Sequence, residues 1–444
     1  MGLANLHILL MMMCPYDSKH ILSFLLIIGA LSFASSCDKE NYLLQENDVI
    51  VYSPEDGYTI KLNQLLRVNV DYPQVDGLTY QWSVEDKIIS NKANLEYMFE
   101  TAGEYHIILT VSQGNISYKY TIDVNVIFDA IPENKEDVTA YITKVLDYMP
   151  AVGQFTNTLP AYEKGDTQEI MNKKVLDAIG NNNKGMITLG GWGGYVVVGF
   201  DHTIINVKGN RDFRVLGNAF YADANPNPNA PIGGSCEPGV IMVAFDANLN
   251  GVPDENEWYE IAGSSHIDAT KEPWYEMSKK AGNDVTLYNN YSITYYKPDV
   301  EPSSKDEWNS YIKWKDNYGH SGYKVKNMYH TQPYYPLWAE CDSISFHGTC
   351  LPQNGIDESG KGVYYVLYKY YYGYVDNEVN ALDDSSIDIS WTVNKKGQFV
   401  NLPGVDFIKI YTGVNQENGW LGECSTEVTG VEDLHILDVD IDTR

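Results

Sequence analysis

Along most of the chain, apolar and polar positions alternate in short runs broken by Gly, Asn, Asp and Pro, the pattern of strands with one face on a core. Within 49–127 the apolar members recur at a spacing of two: Leu66, Val68 and Val70, then Tyr80, Trp82 and Val84, then Ile107, Leu109 and Val111, then Ile122, Val124 and Val126. The texture changes over 128–184. Val138, Ile142, Val145 and Leu146 fall at helical spacing, and Thr167-Gln168-Glu169-Ile170 opens a second periodic run through Val175, Leu176 and Ile179 that Gly180 ends. From 185 to 444 the chain returns to Gly-punctuated apolar runs, at 194–200, 240–245, 291–296, 363–374, 387–391 and 407–411. The pattern predicts a mainly β protein: an Ig-like β-sandwich at 49–127, a short helical linker at 128–184, and a large jelly-roll-like β-sandwich at 185–444.

The first residues read differently. Lys19 and His20 precede an apolar run from Ile21 to Phe33, which ends in the small residues Ala34-Ser35-Ser36 before Cys37. That is the layout of an export signal over 1–36, too short for the ~20 apolar residues of a membrane span. Small residues before a Cys resemble the bacterial lipobox, although Ala34 stands where Leu is commonest; the resemblance implies lipidation of Cys37. Ordinary cleavage near Ser36 is the other reading. Within the segment 37–48, Asp38-Lys39-Glu40-Asn41 resembles the surface-export signal of Bacteroidetes lipoproteins, which implies an outer-membrane lipoprotein displayed on the outer face.

Charge narrows the partners. The 31 Lys and Arg against 60 Asp and Glu give a net charge of −29, and no segment gathers a basic face, so nucleic acid is excluded and anionic membrane surfaces are disfavoured. Without Cys14, in the signal, and Cys37, the cysteines left are Cys236, Cys341, Cys350 and Cys424, an even number in an oxidising compartment. Cys341 and Cys350 close the shortest loop and are the expected disulfide, with buried free thiols as the alternative. Neither C-x-x-C nor H-E-x-x-H occurs, which argues against cysteine- or zincin-type metal chemistry.

Two constellations stand out. Residues 246–257 match the Ca²⁺ loop D-x-[DN]-x-[DN]-G-x₅-E: Asp246, Asn248, Asn250, Asp254 and Glu257 supply side-chain oxygens, Val252 a carbonyl, and Gly251 the sharp turn. Strand-like residues flank it, so the expectation is a structural Ca²⁺ pinning a hairpin, against an Asn/Asp-rich turn that satisfies its own backbone. The second is the 363–374 run. Strand alternation there places Tyr364, Tyr368, Tyr370, Tyr372 and Tyr374 on one face, a candidate ligand surface beside Asp376-Asn377-Glu378, or a Tyr-rich core. Trp192, Trp274, Trp308, Trp314 and Trp338 lie in nearby loops and are read either way. No catalytic residue is nominated. G-x-S-x-G and phosphate-loop motifs are missing, Asp201 and His202 are adjacent on a strand and so expected on opposite faces, and His320, His330 and His347 are read as surface or satisfied histidines.

Trp82 on a central strand, Phe99, and Gly103-Glu104-Tyr105 opening the next strand resemble the PKD family of Ig-like domains, which implies a spacer. The stretches LGGWGGYVVVGFDH (189–202), DFRVLGNAF (212–220), DANLNGVPDENEWYEIAGS (246–264) and GVDFIKIYTGVNQENGWLGECSTEV (404–428) resemble an uncharacterised family of Bacteroidetes cell-surface proteins with an N-terminal PKD-like domain. The expected function is non-catalytic capture of a glycan for uptake, in partnership with a TonB-dependent transporter. A corrinoid ligand, a glycan-active enzyme and a structural or adhesive surface protein are the alternatives.

Overall fold

The computed structural model describes residues 43–442, apart from 55–56, 62–64, 74, 100–102, 128–137, 208, 249 and 401. The signal and Cys37 lie outside the described residues. Leu43–Gln45 fall in a first unit, and Glu46–Arg444 form one compact unit of mainly β structure.

Its N-terminal part is a five-stranded sheet in the order Tyr58–Lys61, Ile116–Ile127, Gly103–Gln113, Leu78–Val84, Lys87–Ser90, with the pair Leu65–Val68 and Leu95–Met98 facing it. The two longest strands form a hairpin whose two-residue loop puts Gly114 at φ 59°, a conformation that costs glycine nothing. The predicted inward set is the core: Leu66, Val68, Trp82, Ile107, Leu109, Val111, Ile122 and Val124 are buried, and the Trp82 indole donates to the Lys92 carbonyl at 3.0 Å. This domain rests on the larger one through Arg67, whose guanidinium lies 4.4 Å from the Tyr259 ring centre and donates to the Asn256 carbonyl at 3.3 Å.

The larger domain is built on an antiparallel six-stranded sheet, in the order Lys144–Met149, Tyr195–Ile205, Gly404–Thr412, Gly239–Ala244, Trp258–Ile261, Thr392–Val393. Cross-strand rows Val196–Ile410–Ile241 and Val198–Ile408–Val243 lie on one face, and Tyr195–Tyr411–Val240 on the other. Both faces are covered. The helix Gln168–Ile179 and the small sheet of Phe213–Leu216, Gly430–Asp433 and Ser386–Ile387 close the first. The second is closed by the sheet Tyr288–Tyr296, Ile312–Asp316, Ser321–Lys324 and Ser343–Cys350, and by Gly233–Ser235, Gly355–Asp357 and Tyr365–Tyr368 with Phe220–Tyr221. Burial on both faces is why these central strands read as nearly continuous apolar runs rather than alternating ones.

Three expectations change. The linker holds one helix, Gln168–Ile179, capped by the Thr167 hydroxyl and burying Met171, Val175 and Ile179 at intervals of four. The other expected helix is the edge strand Lys144–Met149, so the larger domain begins before 185; a register shift between Val145 and Asp147 breaks its alternation and imitates helical spacing. The disulfide does not form. Cys341 precedes, and Cys350 ends, the extended strand Ser343–Cys350, whose length at ~3.3 Å per residue holds them far beyond the ~7 Å limit for Cα atoms of a bridge. All four cysteines are free thiols, Cys341 exposed and the other three buried.

A thiol reagent is therefore expected to label Cys341 in the native protein, and Cys236, Cys350 and Cys424 only after denaturation; loss of label from both Cys341 and Cys350 without reductant would contradict this.

Candidate functional site

The tyrosine run does not form the expected face. Only Tyr365–Tyr368 is strand, and the chain then turns, with Gly373 at φ 87° and Asp376 at φ 54°. Tyr368, Tyr370 and Tyr374 are core residues, 0%, 0% and 2% exposed. Tyr370 donates to the Pro352 carbonyl and stands edge-on to Trp274, ring centres 4.8 Å apart, while the Tyr374 hydroxyl accepts from the Ser265 amide at 3.2 Å. Tyr364 and Tyr372 are half-buried, the latter against Trp391. Trp192, Trp274 and Trp338 are buried as well.

In the metal-type loop the motif side chains bond the loop's own backbone and one another. The loop joins Gly239–Ala244 to Trp258–Ile261, which pair as a hairpin, and Gly251 takes φ 79°. Asp246 accepts from the Asn250 and Gly251 amides at 3.0 and 2.7 Å, and Glu257 from those of Ala247 and Asp254, both at 2.9 Å. Asn248 and Asn250 donate their Nδ2 groups to Asp254 at 2.7 and 3.1 Å. To bind Ca²⁺ both amides would turn their oxygens inward in place of these bonds. The donor set is all oxygen, as a hard cation needs. Burial pushes Glu257 above the usual carboxylate range, and the neighbouring Asp254 and Asp246 charges add to the rise.

A site that sequence reasoning missed lies elsewhere. Glu417 and Glu423 bridge as a short antiparallel pair, and the loop between them holds Trp420 at its tip, with Gly419 at φ 59° and Gly422 at φ 93°. A side chain at Gly419 would meet the Tyr365 hydroxyl at 2.5 Å, so the loop needs glycine there for space as well as conformation. Asn327 ties the tip to the neighbouring loop by donating to the Trp420 carbonyl at 2.6 Å. Trp420 is 51% exposed, and Tyr329 beside it, 67% exposed, stands edge-on with ring centres 6.5 Å apart. These rings rim a cleft of about 310 Å³ whose walls include Gln154, Phe155, His330, Asn218, Ser235, Glu237, Glu423 and Glu427.

Two acidic residues of this wall, Glu237 and Glu427, form a cluster with Asp376, which is buried behind it. Oxygens of Glu237, Asp376 and Glu427 lie within 4.8 Å of one another, and among the described residues none of the three is in an ion pair. Backbone geometry holds them: Asp376 accepts from the Asn218 and Glu427 amides at 2.7 and 3.0 Å, Glu237 from the Ser425 amide at 3.0 Å, and Glu427 from the Thr188 hydroxyl at 3.0 Å. A side chain at Gly217 would fall 2.5 Å from an Asp376 oxygen. Burial, and then the charge of Glu237, drive Asp376 and Glu427 well above the carboxylate range, and burial raises Glu237 to about 7. Glu423 is raised to about 8 by burial and the Glu417 charge. A carboxyl whose proton is held more tightly in this way can donate a hydrogen bond as well as accept one. The three clustered carboxylates could alternatively share a cation.

The Asp201–His202 pair also departs from expectation. The register shift between Gly199 and Ile204 lets His202 reach back to the exposed Asp201 at 2.8 Å and across to the buried Asp433 at 2.7 Å, a structural bridge. His320 pairs with Asp316 and His347 with Ser292, while His330 packs edge-on against Phe155 in the cleft wall.

Residues 49–113 match the PKD-like domain family, and this part of the chain is a PKD-like domain. No curated protein matches the sequence. Among solved structures, a SusE-like protein is 8% identical over 87% of this chain and 97% of its own, with a TM-score of 0.22. A surface glycan-binding protein of the Bacteroides ovatus mixed-linkage glucan utilization locus, in complex with a heptasaccharide, is 9% identical over 83% of this chain and 100% of its own, at 0.16. A quinoprotein alcohol dehydrogenase-like protein of Bacteroides thetaiotaomicron is 16% identical over 36% of this chain, at 0.16, and the chain spans about a third of its length, 34%. None of these superpositions amounts to a common overall fold.

Because the folded state holds the Glu423 proton to about pH 8 and an unfolded glutamate releases it near 4.5, rising pH between those values favours unfolding. Glu423→Gln, which keeps an acceptor for the Gln154 amide, is expected to flatten the fall in melting temperature between pH 5 and 8.5. Parallel curves for variant and wild type would refute the assignment.

Proposed function

We propose that the protein binds a neutral glycan in the cleft under Trp420 and Tyr329. The observation that carries this is the pairing of two exposed rings at a loop tip with a wall of buried hydrogen-bonding groups. An indole or phenol face stacks on the C–H face of a sugar ring, where it removes apolar surface from water, and the wall then reads the hydroxyls. Gln154, Asn218 and Asn327 supply amides; Glu237, Glu423 and Glu427 supply carboxyl groups. With a net charge of −29 the protein repels polyanions, which favours neutral chains.

The wider reading is a lipoprotein anchored through Cys37 at the outer membrane, with the PKD-like domain as spacer and the larger domain presenting ligand to a TonB-dependent transporter for uptake. In that setting the 246–257 loop is a structural Ca²⁺ site. It lies beside the Arg67 contact, so an ion there would stiffen the junction between the two domains.

In affinity electrophoresis against soluble mixed-linkage β-glucan, xylan, galactomannan and glycogen, at least one polymer is expected to retard the protein. Trp420→Ala should then lose at least tenfold in affinity with its melting temperature unchanged, since half of the ring is already in water. Wild-type affinity in that variant would remove the site.

Calcium is expected to raise the melting temperature, by a stabilisation of ~2.7 kcal/mol at a hundredfold excess over Kd, and EDTA to reverse it. Asp246→Ala should abolish the response; an identical calcium response in this variant would place the ion elsewhere.

A further inference from the structure

We infer that the ligand is an extended chain that runs over three adjoining depressions, of which the cleft is the first. The inference rests on the glycan reading. Tyr329, Asn327 and Trp420 also wall a second depression of about 390 Å³, which continues past Trp308, Lys326 and Glu417. Glu417 in turn borders a third depression, of about 340 Å³, lined by Tyr288, Tyr291, Trp314 and Tyr323. Each space alone is at the small end of the ~300–1,000 Å³ range of ligand pockets. Because neighbouring depressions share walls, one chain can occupy them in succession.

The aromatic groups recur along this path. Trp420 and Tyr329 stand at one end, and Tyr323, which is also exposed, stands at the other with the half-buried Trp314. Trp314 lies flat on its neighbouring strand because residue 322 is glycine; a side chain there would fall 2.9 Å from the indole. Tyr288 and Tyr291 cluster with exposed Tyr318, at ring-centre separations of 4.5 and 6.0 Å from it. Rings repeated at intervals along a groove suit a repeating ligand. A compact planar cofactor would use a single pocket.

Charge selects the kind of chain. Lys305 stands exposed at the edge of the second depression, while the other two lysines along the groove are already neutralised: Lys324 is 2.7 Å from Glu417 and Lys326 is 2.6 Å from Glu301. Both are buried, so neither is presented to an anionic polymer. A neutral polysaccharide meets both conditions.

The test uses oligosaccharides of two, four, six and eight units prepared from whichever panel polymer retards the full-length protein, with affinities measured by calorimetry. Affinity is expected to rise at least tenfold from two units to eight. Tyr323→Ala is expected to weaken the octasaccharide at least threefold more than the disaccharide, with an unchanged melting temperature. Equal affinities for the disaccharide and octasaccharide would overturn the groove while leaving a glycan site under Trp420. If no polymer in the panel retards the protein, the glycan reading falls and the groove falls with it.

Discussion

Two-sided burial of the six-stranded sheet is the constraint on which the rest of the larger domain depends. A sheet with one apolar face needs one cover; here the rows Val196–Ile410–Ile241 and Tyr195–Tyr411–Val240 face opposite ways, and each must be kept from water. The covers are short strands, one helix and many connecting segments. Where connections cross the sheet closely, glycine is obligatory. At Gly194 an added Cβ would fall 1.9 Å from the Leu189 carbonyl oxygen and 2.1 Å from the Ala151 nitrogen, and this accounts for the glycine-rich turn around Trp192. The same turn receives the Thr412 hydroxyl on the Gly190 carbonyl at 2.7 Å, so the central strand and its cover are fastened at that point.

The cleft is a consequence of how those covers end. The strand Gly404–Thr412 leaves the sheet, forms the Glu417–Glu423 loop, and returns as Glu427–Val428 to pair with Ile187–Thr188. That short excursion carries Trp420 outward and Glu423 and Glu427 inward within a few residues. Asp376 arrives from the chain that follows the tyrosine run, held in its left-handed conformation by the Gly239–Val375 bridge and the close approach of Gly217. Strained backbone and mutually repelling carboxyls persist only where surrounding structure fixes them, and such places are often where ligands act.

Much of the fold was legible because local pattern and tertiary role agreed: the PKD-like strands, the helix capped by Thr167, and the hairpin around 246–257 all follow their sequence signals. The failures have separate physical causes. A register shift disguised Lys144–Met149 as helix, and sequence proximity made Cys341 and Cys350 look bridgeable although an extended strand separates them. The cleft left almost no trace. Glu237, Asp376, Glu423 and Glu427 converge from distant positions among 60 acidic residues, and the only local cue is Trp420 set between Gly419 and Gly422, a ring on a glycine-rich loop with nowhere to be buried.

The tyrosine surplus follows from the same architecture. Covers made largely of irregular segments leave backbone carbonyls inside the protein without strand partners, and each such group must find a donor. A buried tyrosine supplies apolar area and one donor at its far end. Tyr148 donates to the Thr188 carbonyl at 2.8 Å, Tyr295 to that of Trp192 at 3.1 Å, Tyr334 to His330 at 3.1 Å and Tyr335 to Cys341 at 3.0 Å. Phenylalanine would fill these positions and leave the carbonyls unpaired, a cost of ~1–3 kcal/mol for each buried group. An abundance of tyrosine in this chain is thus a property of its loop-built covers. The rings that bear on ligand binding are distinguished by what fails to cover them, and that depends on where each loop ends in space.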